Sequence, residues 1–202
     1  MSDMSKRLSP HFLLGEFLRS ETAERDPALL RQQYNPSEPV LSNLSYLVST
    51  VLEPIRQTFG YPIRISSGYR CAAVNEAVGS KSTSQHLLGQ AADCQVDSGF
   101  LGAPALEPLR QKIRQRILER TGSPVRDNIN ANYYLFAYVA LRLQHFDVDQ
   151  LIHEYGVDAG RPAWVHIAAS PAPGNKGQIL ALGHNLRPSG IIALNDALAM
   201  AT

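Results

Sequence analysis

A ten-residue run, Ser84-Gln85-His86-Leu87-Leu88-Gly89-Gln90-Ala91-Ala92-Asp93, sets an imidazole and a carboxylate seven positions apart with only small or neutral residues between them. Glycine and alanine let backbone segments pack closely, and histidine nitrogen with carboxylate oxygen is a donor set that zinc accepts. A catalytic zinc site keeps three protein donors and leaves the fourth position to water, so a fold for this chain has to bring a third donor to these two from elsewhere. His166 is the best candidate, because strand alternation in Trp164-Val165-His166-Ile167 puts Trp164, His166 and Ala168 on one face. The remaining histidines are His11, His145, His153 and His184. His153 is the rival donor, since Leu151-Ile152-His153-Glu154-Tyr155 also has the character of a strand.

Asp93 stands at the start of the alternating stretch Ala91-Ala92-Asp93-Cys94-Gln95-Val96. A buried, unpaired carboxylate there is costly, and a cation removes that cost. Cys94 points to the opposite face of the same strand, which argues against its joining the ion. It and Cys71 are the chain's two cysteines, too few for a zinc-finger set and expected as buried thiols rather than a disulfide.

Hydrolysis at a zinc site also needs a carboxylate that takes a proton from water and returns it to the leaving amine. Period-2 alternation places Ile152 and Glu154 on one face and Leu151, His153 and Tyr155 on the other. Glu154 is therefore the candidate base, with Asp158 as the fallback.

Ser-x-His-x-x-Gly-x-Ala-x-Asp followed far downstream by Trp-x-His resembles the M15 peptidases, zinc D-Ala-D-Ala carboxypeptidases and peptidoglycan endopeptidases whose fold is shared with the Hedgehog signalling domain. Further matching pieces are Ser66-Ser67-Gly68-Tyr69-Arg70, Val74-Asn75, Ala77-Val78-Gly79, Leu8-Ser9-Pro10-His11-Phe12, Glu16-Phe17, and Gln150-Leu151-Ile152 with Glu154. The resemblance covers roughly residues 8 to 98 and 147 to 182 and is closest to the single-domain branch of phages and bacteria. It implies zinc held by His86, Asp93 and His166, a substrate carboxylate held by the planar guanidinium of Arg70, and Ser84 at the substrate site. Either a carboxypeptidase or an endolysin-type endopeptidase fits. A zinc-stabilised, non-catalytic cell-wall-binding or structural module of the same fold is the alternative.

With 202 residues, 44% hydrophobic and 18% charged, the chain is expected to form one globular domain, and its net charge of +1 gives no field for nucleic acid. The basic run Arg110, Lys112, Arg114, Arg116 and Arg120 lies on a helix whose apolar residues Leu106, Leu109, Ile113 and Ile117 recur at helical spacing, as a solvated face would. Leu41, Leu44, Leu47, Val48, Val51, Leu52, Ile55 and Phe59 form a helical stripe that Pro54 is expected to kink and Gly60 to stop. Strands are expected around 63–65, 92–97, 149–155, 164–168 and 178–182, and two helices in 99–146 as an insertion. Pro188-Ser189-Gly190 is a turn in an unassigned C-terminal extension, 183–202. The expected architecture is α+β, a small antiparallel sheet carrying the zinc site with helices packed on one side, in a monomer that takes a peptidoglycan peptide as substrate. Phe12-Leu13-Leu14 is too short for a signal-peptide core, and Tyr133–Leu141 is about half of the ~20 residues that a membrane span needs. Synthesis in the cytoplasm is expected, with access to the wall after lysis, through a partner pore or as part of a phage particle.

Overall fold

The structure is a computed structural model that describes residues 2–172, 177–183 and 190–202. His184, Pro188 and Ser189 lie outside the described residues. The helices are α1 (Leu14–Leu18), α2 (Glu21–Glu24), α3 (Pro27–Gln33), α4 (Glu38–Tyr46), α5 (Glu53–Phe59), α6 (Ala72–Ala77), α7 (Gly99–Gly102), α8 (Glu107–Thr121), α9 (Ala131–Ala140) and α10 (Leu194–Ala199). The strands are β1 (Arg64–Ser67), β2 (Ala91–Gln95), β3 (Gln150–Glu154), β4 (Trp164–Ala168), β5 (Gln178–Leu182) and β6 (Gly190–Ile191), paired in the order β1-β2-β4-β3-β5-β6.

All pairs are antiparallel except β3 with β5. That exception departs from the expected antiparallel sheet and has a simple cause. β4 already has both edges taken, by β2 and β3, so the returning chain pairs on the free edge of β3, where it runs in the same direction.

The register assigns the two faces. Ser67, Asp93, His166 and Ile152 are paired across four neighbouring strands and so share one face, and Glu154 pairs with Trp164 one pleat further along that face. Ala92, Cys94, Leu151, Val165, Ile167 and Ile179 occupy the other face and merge into the main hydrophobic core. There α9, buried along its whole length, packs across β2, β3 and β4. The helices thus insulate one face and leave the other to polar chemistry.

The stripe expected before Gly60 is buried from Leu44 to Phe59, and Gly60 ends it in the left-handed region with φ 74°. The irregularity associated with Pro54 appears one turn early: residues Leu47–Leu52, between α4 and α5, wind as a π-helix. Proline has no N–H to give and its ring collides with the carbonyl four residues back, so the preceding turn widens.

Glu53 anchors the N-terminal segment to this helix. Its carboxylate accepts hydrogen bonds from the Ser9 hydroxyl at 2.6 Å, the His11 backbone N–H at 3.2 Å and Gln57 at 2.7 Å, and meets His11 Nδ1 at 2.6 Å. Burial alone would raise its pKa, but the bonds from Ser9, His11 and Gln57 outweigh burial and hold it at about 2. A depressed carboxyl contributes stability that is fully present above the ordinary glutamate pKa of about 4.5 and is lost as pH falls through about 2. Glu53→Gln is therefore expected to lower stability by about 2–3 kcal/mol at pH 7 and to flatten the acid limb between those values, readable by urea unfolding at several pH values.

Candidate metal centre

His86 Nε2, His166 Nδ1 and Asp93 Oδ1 form a nearly equilateral triangle, with separations of 3.2 Å between the two nitrogens, 3.2 Å from His86 to Asp93 and 3.1 Å from His166 to Asp93. An ion bonded tetrahedrally at about 2.0–2.1 Å places its donors about 3.3 Å apart, so these edges fit a zinc-sized cation. All three side chains are buried. Together they can hold a metal ion.

Each donor is fixed by backbone around it. His86 sits in the short 3-10 turn Gln85–Leu88, and its Nδ1–H donates to the Gly68 carbonyl at 2.6 Å, which leaves Nε2 with a lone pair for the ion. Gly89 ends that turn at φ 67°, where a side chain would also strike the Val40 carbonyl. Gly68 is forced by packing: a Cβ there would stand 2.6 Å from the Phe17 backbone. Asp93 and His166 are cross-strand partners on β2 and β4, which sets their side chains beside each other without any loop. Burial opposes ionisation of Asp93, yet the adjoining His86 and His166 outweigh it and hold the carboxyl well below the usual carboxylate range. An anionic carboxylate facing two imidazole nitrogens is the state a cation requires.

The expected rival donor is elsewhere. His153 lies on the opposite face, fully buried, edge-on to Phe136 at 5.5 Å and with Nε2 donating to the Ala159 carbonyl at 2.9 Å. Cys94 points into the core on that face and its thiol is pushed up by burial, while Cys71 is buried in a separate cluster beside Ala23 and Val74. Both cysteines are free thiols.

Arg70 reaches the centre from the segment after β1. Its Nε donates to Ser67 Oγ at 2.9 Å and a terminal nitrogen to Asp93 Oδ2 at 2.7 Å, so part of the guanidinium is already committed to the carboxylate of the metal set. Glu154 faces the same side and accepts a hydrogen bond from the Trp164 indole. Burial lifts its carboxyl above the ordinary value and the Asp93 charge adds to this, against the pull of His166, Trp164 and Arg70. Asp158 is occupied otherwise: Arg161 grips it at 2.6 and 2.9 Å, Arg126 lies at 3.6 Å and the Gly160 N–H donates at 2.8 Å. Ser84 begins the turn that carries His86, and its backbone carbonyl accepts from the Leu87 N–H at 3.1 Å.

Two supports escaped the sequence. Gln33, fully buried, donates to the Leu18 carbonyl at 3.0 Å and the Tyr69 carbonyl at 2.6 Å and accepts from the Cys71 N–H at 2.9 Å. It thereby clamps the backbone on both sides of Arg70, and no local pattern marks a glutamine in a polar helix for that task. Asn75, buried after α6 begins, donates to the Ser80 and Lys81 carbonyls at 3.3 and 3.0 Å and so orders the loop that leads to Ser84. Its place in Val74-Asn75 was the available signal.

Residues 11–125, more than half of the chain, match a family model described as Peptidase M15. The match includes Arg70, Ser84, His86 and Asp93, while Glu154 and His166 lie beyond it. No curated protein matches the chain.

Proposed function

The chain belongs to the M15 peptidase family, and from that premise we propose that it is a zinc-dependent peptidase that hydrolyses a peptide bond in peptidoglycan stem peptides or cross-bridges, as a D-Ala-D-Ala carboxypeptidase or an endolysin-type endopeptidase. The observation that carries this reading is the triangle of His86, Asp93 and His166 donors at tetrahedral spacing, with the Glu154 carboxylate on the same sheet face. When bound, zinc acts as a Lewis acid on the scissile carbonyl and makes a neighbouring water acidic.

The chain's own groups do the rest. Glu154 takes the proton of the attacking water and delivers it to the leaving amine; its raised pKa brings it closer to the working pH, which favours both transfers. The Trp164 indole holds that carboxylate in place. Ser84 borders the cleft through the turn that carries His86. Arg70 keeps Asp93 oriented and presents the uncommitted side of its guanidinium to a carboxylate of the substrate.

These two tasks of Arg70 separate experimentally. Arg70→Lys keeps the charge and loses the fork, so a peptide with a free C-terminal carboxylate should lose ~1.5–3 kcal/mol in kcat/KM beyond any loss on its amide. The part common to both substrates reports Asp93, and zinc affinity should fall about 10–100-fold with it. Matched acid and amide peptides measure the difference; equal losses on both would leave Arg70 with the metal-side task alone.

Arrival at the wall by lysis, a partner pore or a phage particle belongs to the same proposal; among the described residues no helix is long and apolar enough to cross a membrane. Incubating zinc-loaded protein with purified peptidoglycan and identifying the released fragments by mass spectrometry tests the reading. Fragments cut at one peptide bond support it and name the bond. Intact peptidoglycan in the presence of bound zinc would favour the non-catalytic module.

A further inference from the structure

Glu154 leads directly into a residue with a forced backbone. Tyr155 has φ 45°, the sole positive φ at a non-glycine position among the described residues, and a bulky side chain adopts that region only where its surroundings impose it. The surroundings here are specific. The Tyr155 N–H donates to the Leu182 carbonyl at 2.9 Å and the Ala163 N–H to the Glu154 carbonyl at 2.9 Å, closing the loop between β3 and β4 at its base. Gly156 passes so near Arg161 that a Cβ would stand 2.1 Å from its carbonyl oxygen. Asn130 holds the far side, through its N–H to the Gly160 carbonyl at 3.0 Å and its side chain to the Pro162 carbonyl at 2.8 Å.

The bracing turns the Tyr155 ring outward. The residue is 53% exposed, and its ring rests 5.5 Å from that of Trp164. Trp164 lies on the metal face between His166 and the Glu154 carboxylate that its indole holds. Strain maintained by a rigid loop, with an aromatic side chain displayed beside the catalytic acid, is the pattern of a preorganised binding surface.

We infer that Tyr155 and Trp164 form an aromatic wall of the substrate cleft, a subsite that packs against the apolar side chain of the peptide residue next to the scissile bond. The inference rests on the peptidase reading and adds the subsite to it. A peptide is favoured over a sugar ring as occupant because the wall adjoins Glu154, which acts at the peptide bond itself.

Trp164 is the only tryptophan in the chain, so indole fluorescence reports the wall directly. The zinc-loaded protein is mixed with an acetylated tripeptide ending in D-Ala-D-Ala, and with an N-acetylglucosamine oligosaccharide, and followed before turnover; steady-state hydrolysis and melting temperature complete the comparison. The parent and Tyr155→Phe should show a saturable change with the peptide at similar midpoints. Tyr155→Gly should raise the midpoint and KM about tenfold with kcat within about twofold, and its melting temperature should be unchanged or higher because glycine accepts the backbone angle. Unchanged midpoint and KM in Tyr155→Gly would overturn the inference. So would a fall in melting temperature with kcat and KM lost together, which marks a structural brace, or a response to the oligosaccharide and not the peptide. A parent that shows these binding effects without hydrolysis leaves the wall standing and removes the peptidase reading; one that neither binds nor cleaves the peptide removes both.

Discussion

Replacing Glu154 with glutamine is expected to lower kcat by about 10²–10⁴-fold while zinc content and melting temperature stay at the parental values. Glutamine keeps the shape of the side chain and can still accept from the Trp164 indole, but it takes no proton from water. The carboxylate is half-buried and its pKa is raised chiefly by burial, so the neutral amide removes a desolvation cost and should not destabilise the fold. Near-normal kcat in this variant would move the base elsewhere. Asp158 is a poor substitute on structural grounds, since Arg161 and Arg126 hold its charge in a loop ion pair.

His166→Ala should abolish stoichiometric zinc binding, and His153→Ala should keep it. Removing His166 leaves two donors, His86 and Asp93, where a catalytic site needs three, and metal affinity falls with the donor count. The fold should survive, because the aliphatic packing of β4 is on the other face, through Val165 and Ile167. His153→Ala carries the opposite signature: zinc remains, and stability drops by about 2–4 kcal/mol because a fully buried ring packed on Phe136 is deleted from the core. Elemental analysis with thermal unfolding on both proteins distinguishes the two roles, and zinc lost from His153→Ala but retained by His166→Ala would reverse the assignment.

Much of this arrangement was legible in the sequence because it depends on short periods. Alternation in 91–96, 150–155 and 164–168 decides which side chains of one strand share a face, so the orientation of His153 away from Ile152 and Glu154 follows from counting by two. The helical stripe before Gly60 is similarly local. What the sequence could not supply were contacts between distant segments. The parallel pairing of β5 with β3 depends on which edge remained free, the clamp of Gln33 on the Arg70 segment joins residues 36 and 38 positions apart, and the Tyr155 strain arises from how the 155–163 loop closes. Arg70 is instructive in another way. The family resemblance implies a substrate carboxylate as its partner, but the structure gives it a carboxylate of the protein first, Asp93.

Zinc is expected to be held by two imidazole nitrogens and one carboxylate oxygen, with an open fourth position. X-ray absorption at the zinc edge of the stoichiometrically loaded protein measures that donor set directly. The expected result is four light donors at about 2.0–2.1 Å, two of them with the outer-shell scattering of imidazole, and no sulfur. A zinc–sulfur distance of about 2.3 Å would bring Cys94 or Cys71 into the site and contradict it.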